Sequence, residues 1–249
     1  MQAYRTYMEE LATLLATVTE TQGARIETAA TWMAETIADG GIVHLFGSGH
    51  SHMIAEEVFH RAGSLMPLNP MLDVNLTFLG SVNATTLERT SGYGKVIVAS
   101  HDIRPGEVVI VISNSGVNPV PIEVALEARA LGARTIAITS DRHYANARSR
   151  HASGKRLAEV TDLTIDTCIA AGDALVAVPG TERRSGGASS AVGIAIINAV
   201  VAETAAKLAA QGIVPPLIPT MNLPGDGGDE AMEDLVATYG ARLPLLKHA

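Results

Sequence analysis

Two short apolar runs, each followed directly by a loop of glycine and small polar residues, constrain the fold more than any other feature of this sequence. Residues 42–46 (IVHLF) precede "GSGHS", and residues 108–113 (VVIVIS) precede "NSGVN". Short, β-branched runs next to glycine are typical of strands buried on both faces. Helical spacing resumes after each loop, near Ser51 and over residues 121–131. The repeated order of strand, loop and helix predicts a parallel sheet covered by helices.

The remaining segments complete an α/β three-layer sandwich with a five-stranded parallel sheet. Residues 133–141 and 162–169 are predicted strands, and residues 75–79 are a weaker candidate for the fifth strand. Helical spacing before residue 39 predicts N-terminal helices, with Gly23 dividing two of them. We therefore expect an N-terminal helical extension over 1–38, the sheet domain over 39–212, and a C-terminal tail over 213–249 that packs on the domain or on a partner subunit.

Composition and charge exclude several classes of protein. The chain of 249 residues is 47% hydrophobic and 18% charged, which suits one soluble domain with an ordinary core. Its formal charge of -8 disfavours a nucleic-acid surface or a polybasic membrane patch. A single cysteine, Cys168, and an N-terminus without the pattern of a signal peptide predict a cytoplasmic protein. The apolar residues 189–212 are interrupted by Asn198, Glu203 and Lys207, so we expect a buried or interface helix and no membrane span.

The two loops have the composition of an anion-binding site. Glycines allow close approach of the backbone to a ligand, and hydroxyl and amide side chains add donors. Ligands of parallel α/β sheets bind at the carboxyl ends of the strands, where both loops fall. Ordinary turn and helix-cap use is the alternative for either loop alone. Missing dinucleotide and P-loop patterns disfavour NAD and ATP. The candidate substrate-binding residues are Ser48, Gly49, His50, Ser51, His52, Ser113, Asn114, Ser115 and Asn118.

The motifs "FGSGHS" and "VISNSG" resemble those of the sugar isomerase (SIS) domain. This phosphosugar-binding domain occurs in glucosamine-6-phosphate synthase, phosphoheptose isomerase and N-acetylmuramic acid 6-phosphate etherase. The resemblance covers residues 39–212 and implies the flavodoxin-like SIS fold. The segments "GSGHSHMIAEEVFHRAG", "ERTSGYGKVI", "HDIRPGE" and "SRHASGKRLAEVTDLTID" further resemble a bacterial group of stand-alone SIS proteins. That narrower resemblance implies N-acetylglucosamine 6-phosphate dehydratase activity without a cofactor.

The same resemblance implies roles for individual residues. Ser113, Ser115 and Asn118 match the phosphate loop Ser-x-Ser-Gly-x-Ser/Thr, with Asn118 departing from the usual hydroxyl residue. SIS etherases and isomerases use a glutamate of the helix after the first loop as a base, which here is Glu56 or Glu57. Loss of the carbon 3 hydroxyl after proton removal at carbon 2 would be dehydration, whereas return of the proton to carbon 1 would be aldose–ketose isomerisation. A non-catalytic phosphosugar sensor is the third alternative.

Helical spacing places His52, Glu56 and His60 on one face, with Glu57 turned about 100° away. The candidate catalytic residues are therefore Glu56, Glu57 and His60, with facing geometry favouring Glu56. A solvated Glu56–His60 pair is the plain alternative. A metal site is disfavoured because zinc helices usually present histidines four residues apart, and here His52 and His60 are eight apart. We expect no metal and no cofactor.

Several further residues are candidates of lower specificity. His101 and His151 lie in loops that could reach the site of a neighbouring subunit, and Arg104 and Lys155 could contact a phosphate. Ser189 and Ser190 precede the long apolar helix, where they form either another anion-binding helix start or a plain cap. That helix and the N-terminal helices are apolar enough to predict a homodimer or homotetramer. The expected partner is otherwise a phosphorylated amino sugar, with no nucleic acid and no membrane.

Overall fold

The predicted five-stranded parallel sheet is confirmed. The computed structural model of the protein describes residues 2–141, 144, 146–220 and 228–246. The strands lie in the order β2-β1-β3-β4-β5, and every neighbouring pair is parallel. Since the sheet is covered on both faces, its central strands are buried along their whole length. The strand bounds are Val43–Gly47 (β1), Leu68–Pro70 (β2), Val108–Ile112 (β3), Arg134–Thr139 (β4) and Leu163–Asp166 (β5).

One helical layer consists of α1 (Ala3–Ala38) and α6 (Ser189–Ala210), which pack against each other along much of their length. Their buried faces meet alternate side chains of the strands, including Leu45 and Ile110. Small residues on α1 permit close approach to α6, which is typical of tightly packed helix pairs. The predicted assembly of subunits through these helices remains a prediction. Buried residues of the two helices include Ala29, Ala30, Met33, Val192, Ile196, Ile197 and Val200.

The opposite layer consists of α4 (Tyr93–Ala99) and α5 (Pro119–Ala130), with α3 (Ser81–Glu88) beside them. These helices cover the other set of alternating strand residues, such as Phe46, Val109 and Val111. The two-residue period of the strands thus separates the core into two apolar clusters, one on each face of the sheet.

Two local predictions are wrong. Gly23 does not divide the N-terminal segment, because α1 is one continuous helix of 36 residues. Its packing against α6 outweighs the helix penalty of about 1 kcal/mol that one glycine carries. Residues 75–79 form no strand: 3-10 turns at Val74–Leu76 and Phe78–Gly80 replace it, since the Asp73 side chain accepts a hydrogen bond from the Asn75 N–H at 2.8 Å. The fifth strand is β2, a short edge strand that tolerates Pro70.

Further elements lie outside the sheet and its two helical layers. A two-stranded antiparallel hairpin joins β6 (Ala174–Ala177) to β7 (Arg184–Gly187) before α6. The short helix α2 (His52–Glu57) follows the first loop. Near the C-terminus, α7 (Gly228–Tyr239) is followed by 3-10 turns at Gly240–Arg242 and Pro244–Leu246. Leu243 and Leu246 pack against Ile42 and Met66, so the C-terminal segment lies on this chain's own domain.

Within the described ranges, α6 is the one helix long and apolar enough to cross a membrane. Length and composition alone are weak evidence, because a core helix passes the same test. The packing of α6 on α1 and against the sheet is that of a core helix.

Candidate functional site

The first loop, residues 48–51, turns back sharply as β1 ends. A Cβ atom on Gly47 would lie 2.3 Å from the Ser51 carbonyl oxygen and 2.8 Å from the His52 nitrogen, so only glycine fits. Gly49 has φ +54° and begins the 3-10 turn Gly49–Ser51, which leads directly into α2. The chain therefore places Ser48 at the carboxyl edge of the sheet, where its hydroxyl is buried.

The second loop, residues 113–118, lies beside the first because β1 and β3 are neighbours. Gly116 has φ +61°, and a Cβ atom there would lie 2.9 Å from Thr139 Oγ1. Its N–H donates to Ser113 Oγ at 3.3 Å, which closes the loop. The following helix α5 begins with Pro119, and Pro121 stands two residues later. Because proline has no N–H, this helix start offers few backbone donors, and ligand binding there must depend on the loop.

The carboxylate of Glu88 lies between the two loops. Ser48 Oγ donates to Glu88 Oε1 at 2.7 Å, and Asn118 Nδ2 donates to Glu88 Oε2 at 2.8 Å. Two residues predicted to bind an anion thus meet at one acidic group of the protein itself. The arrangement places donors from separate strands within reach of a single oxyanion.

A second glutamate fixes the segment that follows Glu88. The buried carboxylate of Glu123, on α5, accepts hydrogen bonds from the Gly92 N–H at 2.7 Å and the Gly94 N–H at 3.0 Å. A Cβ atom on Gly94 would lie 2.5 Å from Glu123 Cβ, so glycine is required for this approach. The connection from α3 to α4 is thereby tied to the helix that follows the second loop.

Arg150 orients the Asn118 side chain. Its Nη1 donates to Asn118 Oδ1 at 2.9 Å, which leaves the Asn118 amide nitrogen directed at Glu88. The Arg150 N–H also donates to the Val117 carbonyl at 2.8 Å, and the Leu157 N–H donates to the Gly116 carbonyl at 2.8 Å. The segment after β4 is therefore anchored to the second loop at both ends.

The two glutamates of α2 differ in their surroundings. Glu56 is 46% exposed, and its Oε2 lies 3.9 Å from His52 Nε2. Glu57 is 24% exposed and forms an ion pair with Arg61, with Nη1 and Oε1 2.5 Å apart. His52 is buried and its Nδ1 donates to the Gly49 carbonyl, so Nε2 is the ring nitrogen that lies towards Glu56. Glu56 is therefore the α2 carboxylate that lies beside His52, the residue that directly follows the first loop.

The expected column of His52, Glu56 and His60 on one helix is wrong at His60. The helix ends at Glu57, and Ser64 Oγ donates to the Val58 carbonyl at 2.6 Å. His60 has φ +49° and an exposed side chain beyond the helix, so it does not share the face of Glu56. Phe78 instead lies against the first loop, with its ring edge-on to His50 at 4.5 Å and to His52 at 4.9 Å between centroids.

The remaining predicted residues lie at the same edge of the sheet. Asn114 accepts from the Ser140 N–H through its carbonyl at 2.9 Å and from Thr167 Oγ1 through Oδ1 at 3.3 Å. Ser115 is partly buried beside it. Ser51, Asn114 and Ser189 line a cavity of only about 10 Å³.

The start of α6 is capped by the protein itself. The Ser189 N–H donates to Asp173 Oδ1 at 2.7 Å, and Ser189 Oγ donates to Asp173 Oδ2 at 2.8 Å. The Asp173 carboxylate thus fills the position that an anion would take, and the plain cap is the better interpretation of Ser189. In the part of the chain that the structure describes, no three His, Cys, Asp or Glu residues come together as a possible metal site.

Sequence reasoning missed Glu88, Arg150 and Phe78. Glu88 and Arg150 stand inside the conspicuous segments "ERTSGYGKVI" and "SRHASGKR", but spacing alone cannot bring residues 40 and 32 positions apart from their partners into contact. The signal that could have identified Glu88 and Arg150 was the presence of a charged residue in an unusual segment of a long connection that follows a strand. Phe78 fell in the segment that was expected to be a strand.

Comparisons with known proteins agree with this architecture. A family model described as the SIS domain matches residues 6–140. A UPF0309 protein of Geobacillus kaustophilus is 41% identical over 241 residues, which cover 96% of this chain and 95% of the relative. A UPF0309 protein of Listeria innocua is 38% identical, covering 96% of this chain and 97% of the relative.

Solved structures are similar in fold. The phosphoheptose isomerase of Francisella tularensis has a TM-score of 0.53 at 17% identity, covering 81% of this chain and 95% of that chain. The phosphoheptose isomerase of Neisseria gonorrhoeae has a TM-score of 0.53 at 18% identity, covering 82% of this chain and 97% of that chain. At this identity the similarity establishes the fold alone.

Proposed function

Because this chain belongs to the SIS domain family and to its UPF0309 relatives, we propose that it binds a phosphosugar between its two loops and removes a proton beside the sugar's carbonyl group. The observation that carries this proposal is the convergence of Ser48 and Asn118 on one oxyanion, the Glu88 carboxylate. Side chains that hold a carboxylate at hydrogen-bond distance are also suited to hold phosphate oxygens.

Phosphate binding follows from the donors of the two loops. The phosphate takes the place of the Glu88 carboxylate on Ser48 and Asn118, while Ser113 and Ser115 add hydroxyl donors from the second loop. Glu88 must then move, because phosphate and carboxylate repel each other at this distance. Arg150 supports the exchange by keeping the Asn118 amide nitrogen directed into the site.

Glu56 is the proposed base. An open-chain 2-amino sugar phosphate held by the loops has an acidic proton on carbon 2, and the exposed Glu56 carboxylate removes it to form an enolate. His52 Nε2, 3.9 Å from Glu56, is positioned to share that proton. His60 remains a proposed acid for the leaving group, although it lies beyond the end of α2. Base assistance of this kind is typically worth about 10²–10⁴-fold in rate.

The finer proposal is dehydration of N-acetylglucosamine 6-phosphate, which rests on the sequence resemblance of the segments around the site. The enolate expels the carbon 3 hydroxyl, which leaves with a proton as water, and a carbon–carbon double bond forms between carbons 2 and 3. No oxidant and no cofactor is consumed in this step. Aldose–ketose isomerisation begins with the same proton removal and fits the site equally well.

Proton NMR in heavy water tests the proposal directly. With N-acetylglucosamine 6-phosphate, a new vinyl signal is expected for dehydration. With an aldose phosphate that carries a hydroxyl on carbon 2, such as glucose 6-phosphate, a ketose with deuterium on carbon 1 would identify isomerisation. Either result supports proton removal at carbon 2. Line broadening of the sugar without exchange or new signals would contradict an enzyme and favour the sensor alternative.

A further inference from the structure

A basic cavity lies next to the candidate phosphate site. Residues 146–156 carry four of the chain's 18 lysine and arginine residues and no aspartate or glutamate, in a protein with a formal charge of -8. This segment lines an open cavity of about 980 Å³ together with Glu159. The cationic residues that line the cavity are Arg148, Arg150 and Arg156, and the His151 ring lies beside them.

The walls of this basic cavity are held in place. Arg156 is largely enclosed and bonds Asp141 Oδ1 at 2.8 Å, while its Nε lies 3.3 Å from Glu159 Oε2. Glu159 also accepts from the Arg156 N–H at 2.8 Å. Glu159, the acidic residue of the cavity, is thus paired with Arg156, and the charge of Arg156 is in turn balanced by Asp141 and Glu159. Arg148 is exposed, and no described residue pairs with it.

The basic cavity and the phosphate site share one wall. Arg150 lines the cavity, and its Nη1 donates to Asn118 Oδ1 in the second loop. The backbone N–H groups of Arg150 and Leu157 also donate to the carbonyls of Val117 and Gly116, so the segment that lines the cavity is joined to the second loop. A single ligand with its phosphate on the two loops can therefore extend into the basic cavity.

We propose that the basic cavity binds a second anionic group of a ligand, so that phosphosugars carrying a further phosphate or carboxylate bind more tightly than the corresponding monophosphates. This inference rests on the proposed function, since it takes the sugar phosphate to lie between the two loops. Arg148 supplies the unpaired charge, and Arg150 bridges the two anionic groups. When the ligand has a single phosphate, held by the two loops, only water fills the basic cavity.

Isothermal titration calorimetry with two matched ligand pairs tests this proposal. Glucose 1,6-bisphosphate against glucose 6-phosphate measures the effect of a second phosphate, and 6-phosphogluconate against sorbitol 6-phosphate measures that of a carboxylate. We expect the doubly charged member of at least one pair to bind about fivefold more tightly or better, as for a charge pair in an open groove. The pair that responds identifies the chemistry of the second group.

The variant Arg148→Gln should remove that preference without changing the affinity for the monophosphate. Arg183→Gln is the matched control, because Arg183 is an exposed arginine on the β6–β7 hairpin and its loss changes the net charge equally. Thermal melting confirms that both variants fold. Equal affinities within both pairs, or a preference that survives in Arg148→Gln, would overturn the proposal. Failure of N-acetylglucosamine 6-phosphate to bind in the same titration would contradict the proposed function, whatever the result for the two ligand pairs.

Discussion

Glu88 places a negative charge at the point where the two loops meet. Its oxygens accept from Ser48 at 2.7 Å and from Asn118 at 2.8 Å, and both donors are buried side chains. Such contacts stabilise the ligand-free site, but they oppose the binding of a phosphate that needs the same two donors. The affinity for a phosphosugar is therefore reduced by the work of displacing this carboxylate.

Glu88→Gln should bind N-acetylglucosamine 6-phosphate more tightly than the wild type, by about three- to tenfold, because the variant keeps a side chain of the same size without its charge. Titration calorimetry measures the change. Glu127→Gln is a suitable control, since Glu127 pairs with Lys95 away from the loops. Weaker binding by Glu88→Gln would mean that the carboxylate contacts the ligand and does not compete with it.

Glu56→Gln should lower turnover of N-acetylglucosamine 6-phosphate by at least about 10²-fold while leaving its dissociation constant nearly unchanged. The variant removes the proposed base and keeps the shape of the side chain. Glu57→Gln should keep most of the activity, because Glu57 is engaged with Arg61. Kinetic and binding measurements on both variants separate the two roles, and normal turnover by Glu56→Gln would assign the base elsewhere.

The positions of the two loops could be predicted from sequence, because glycine and small polar residues directly after a short apolar run mark the carboxyl end of a buried strand. The contact between Glu88 and Ser48 could not, since it depends on how α3 packs after 40 intervening residues. The His52–Glu56 pair followed from helical spacing, whereas the position of His60 off that helical face could not be predicted without knowing where α2 ends. Local periodicity thus predicts which residues of one element face a site. It does not predict residues such as Glu88, which a long connection brings back to that site.

Helix α1 shows how tertiary packing overrides a local signal. Glycine in a helical pattern suggests a break, but a Cβ atom at Gly23 would meet nothing within 4 Å, and the helix continues through it. Strand β2 was missed for the opposite reason, because its sequence gives no local signal. It has only three residues and ends in proline, which is too short to show the two-residue alternation of a strand. Both errors concern element boundaries, which depend on burial more than on propensity.

Gly23→Ala should stabilise the protein by about 0.5–1 kcal/mol, because alanine favours the helix and no neighbour is displaced. Thermal unfolding of the two proteins provides the measurement. Gly193→Ala is the contrasting variant, since its Cβ atom would lie 2.3 Å from Ile54 Cδ1 between α6 and α2 and should destabilise the fold. No gain for Gly23→Ala would indicate that the helix is interrupted there in solution.

At the scale of the whole molecule, a buried polar cluster joins the amino end of the sheet to the C-terminal segment. Glu107 accepts from His44 Nε2 at 3.1 Å and from the backbone N–H groups of Ile42 and Arg104, both at 2.9 Å. Arg242 reaches it from the 3-10 turn after α7. Burial alone would raise the pKa of Glu107, but these hydrogen bonds outweigh burial and hold that pKa well below its ordinary value.

The same cluster makes stability depend on pH. Burial, with the neighbouring His44, lowers the pKa of His101 from 6.5 to about 4, and Asn69 Nδ2 donates towards the rings of both histidines. The unfolded chain therefore takes up a proton at a higher pH than the folded protein does. This contribution to the free energy of unfolding is complete above pH 6.5 and declines as the pH falls towards 4.

His101→Gln should flatten the decline between pH 6.5 and 4, because glutamine does not titrate. Urea unfolding at a series of pH values measures the slope in both proteins. The further loss at lower pH should remain in both, because it comes from carboxylates such as Glu107. Identical slopes above pH 4 would show that His101 is not the group responsible.

The structure of the protein with bound N-acetylglucosamine 6-phosphate tests the central claim most directly. We expect the phosphate on Ser48, Ser113, Ser115 and Asn118, the Glu88 carboxylate displaced from Ser48 and Asn118, and carbon 2 facing Glu56. A phosphate bound elsewhere, with Glu88 still on both side chains, would contradict the account.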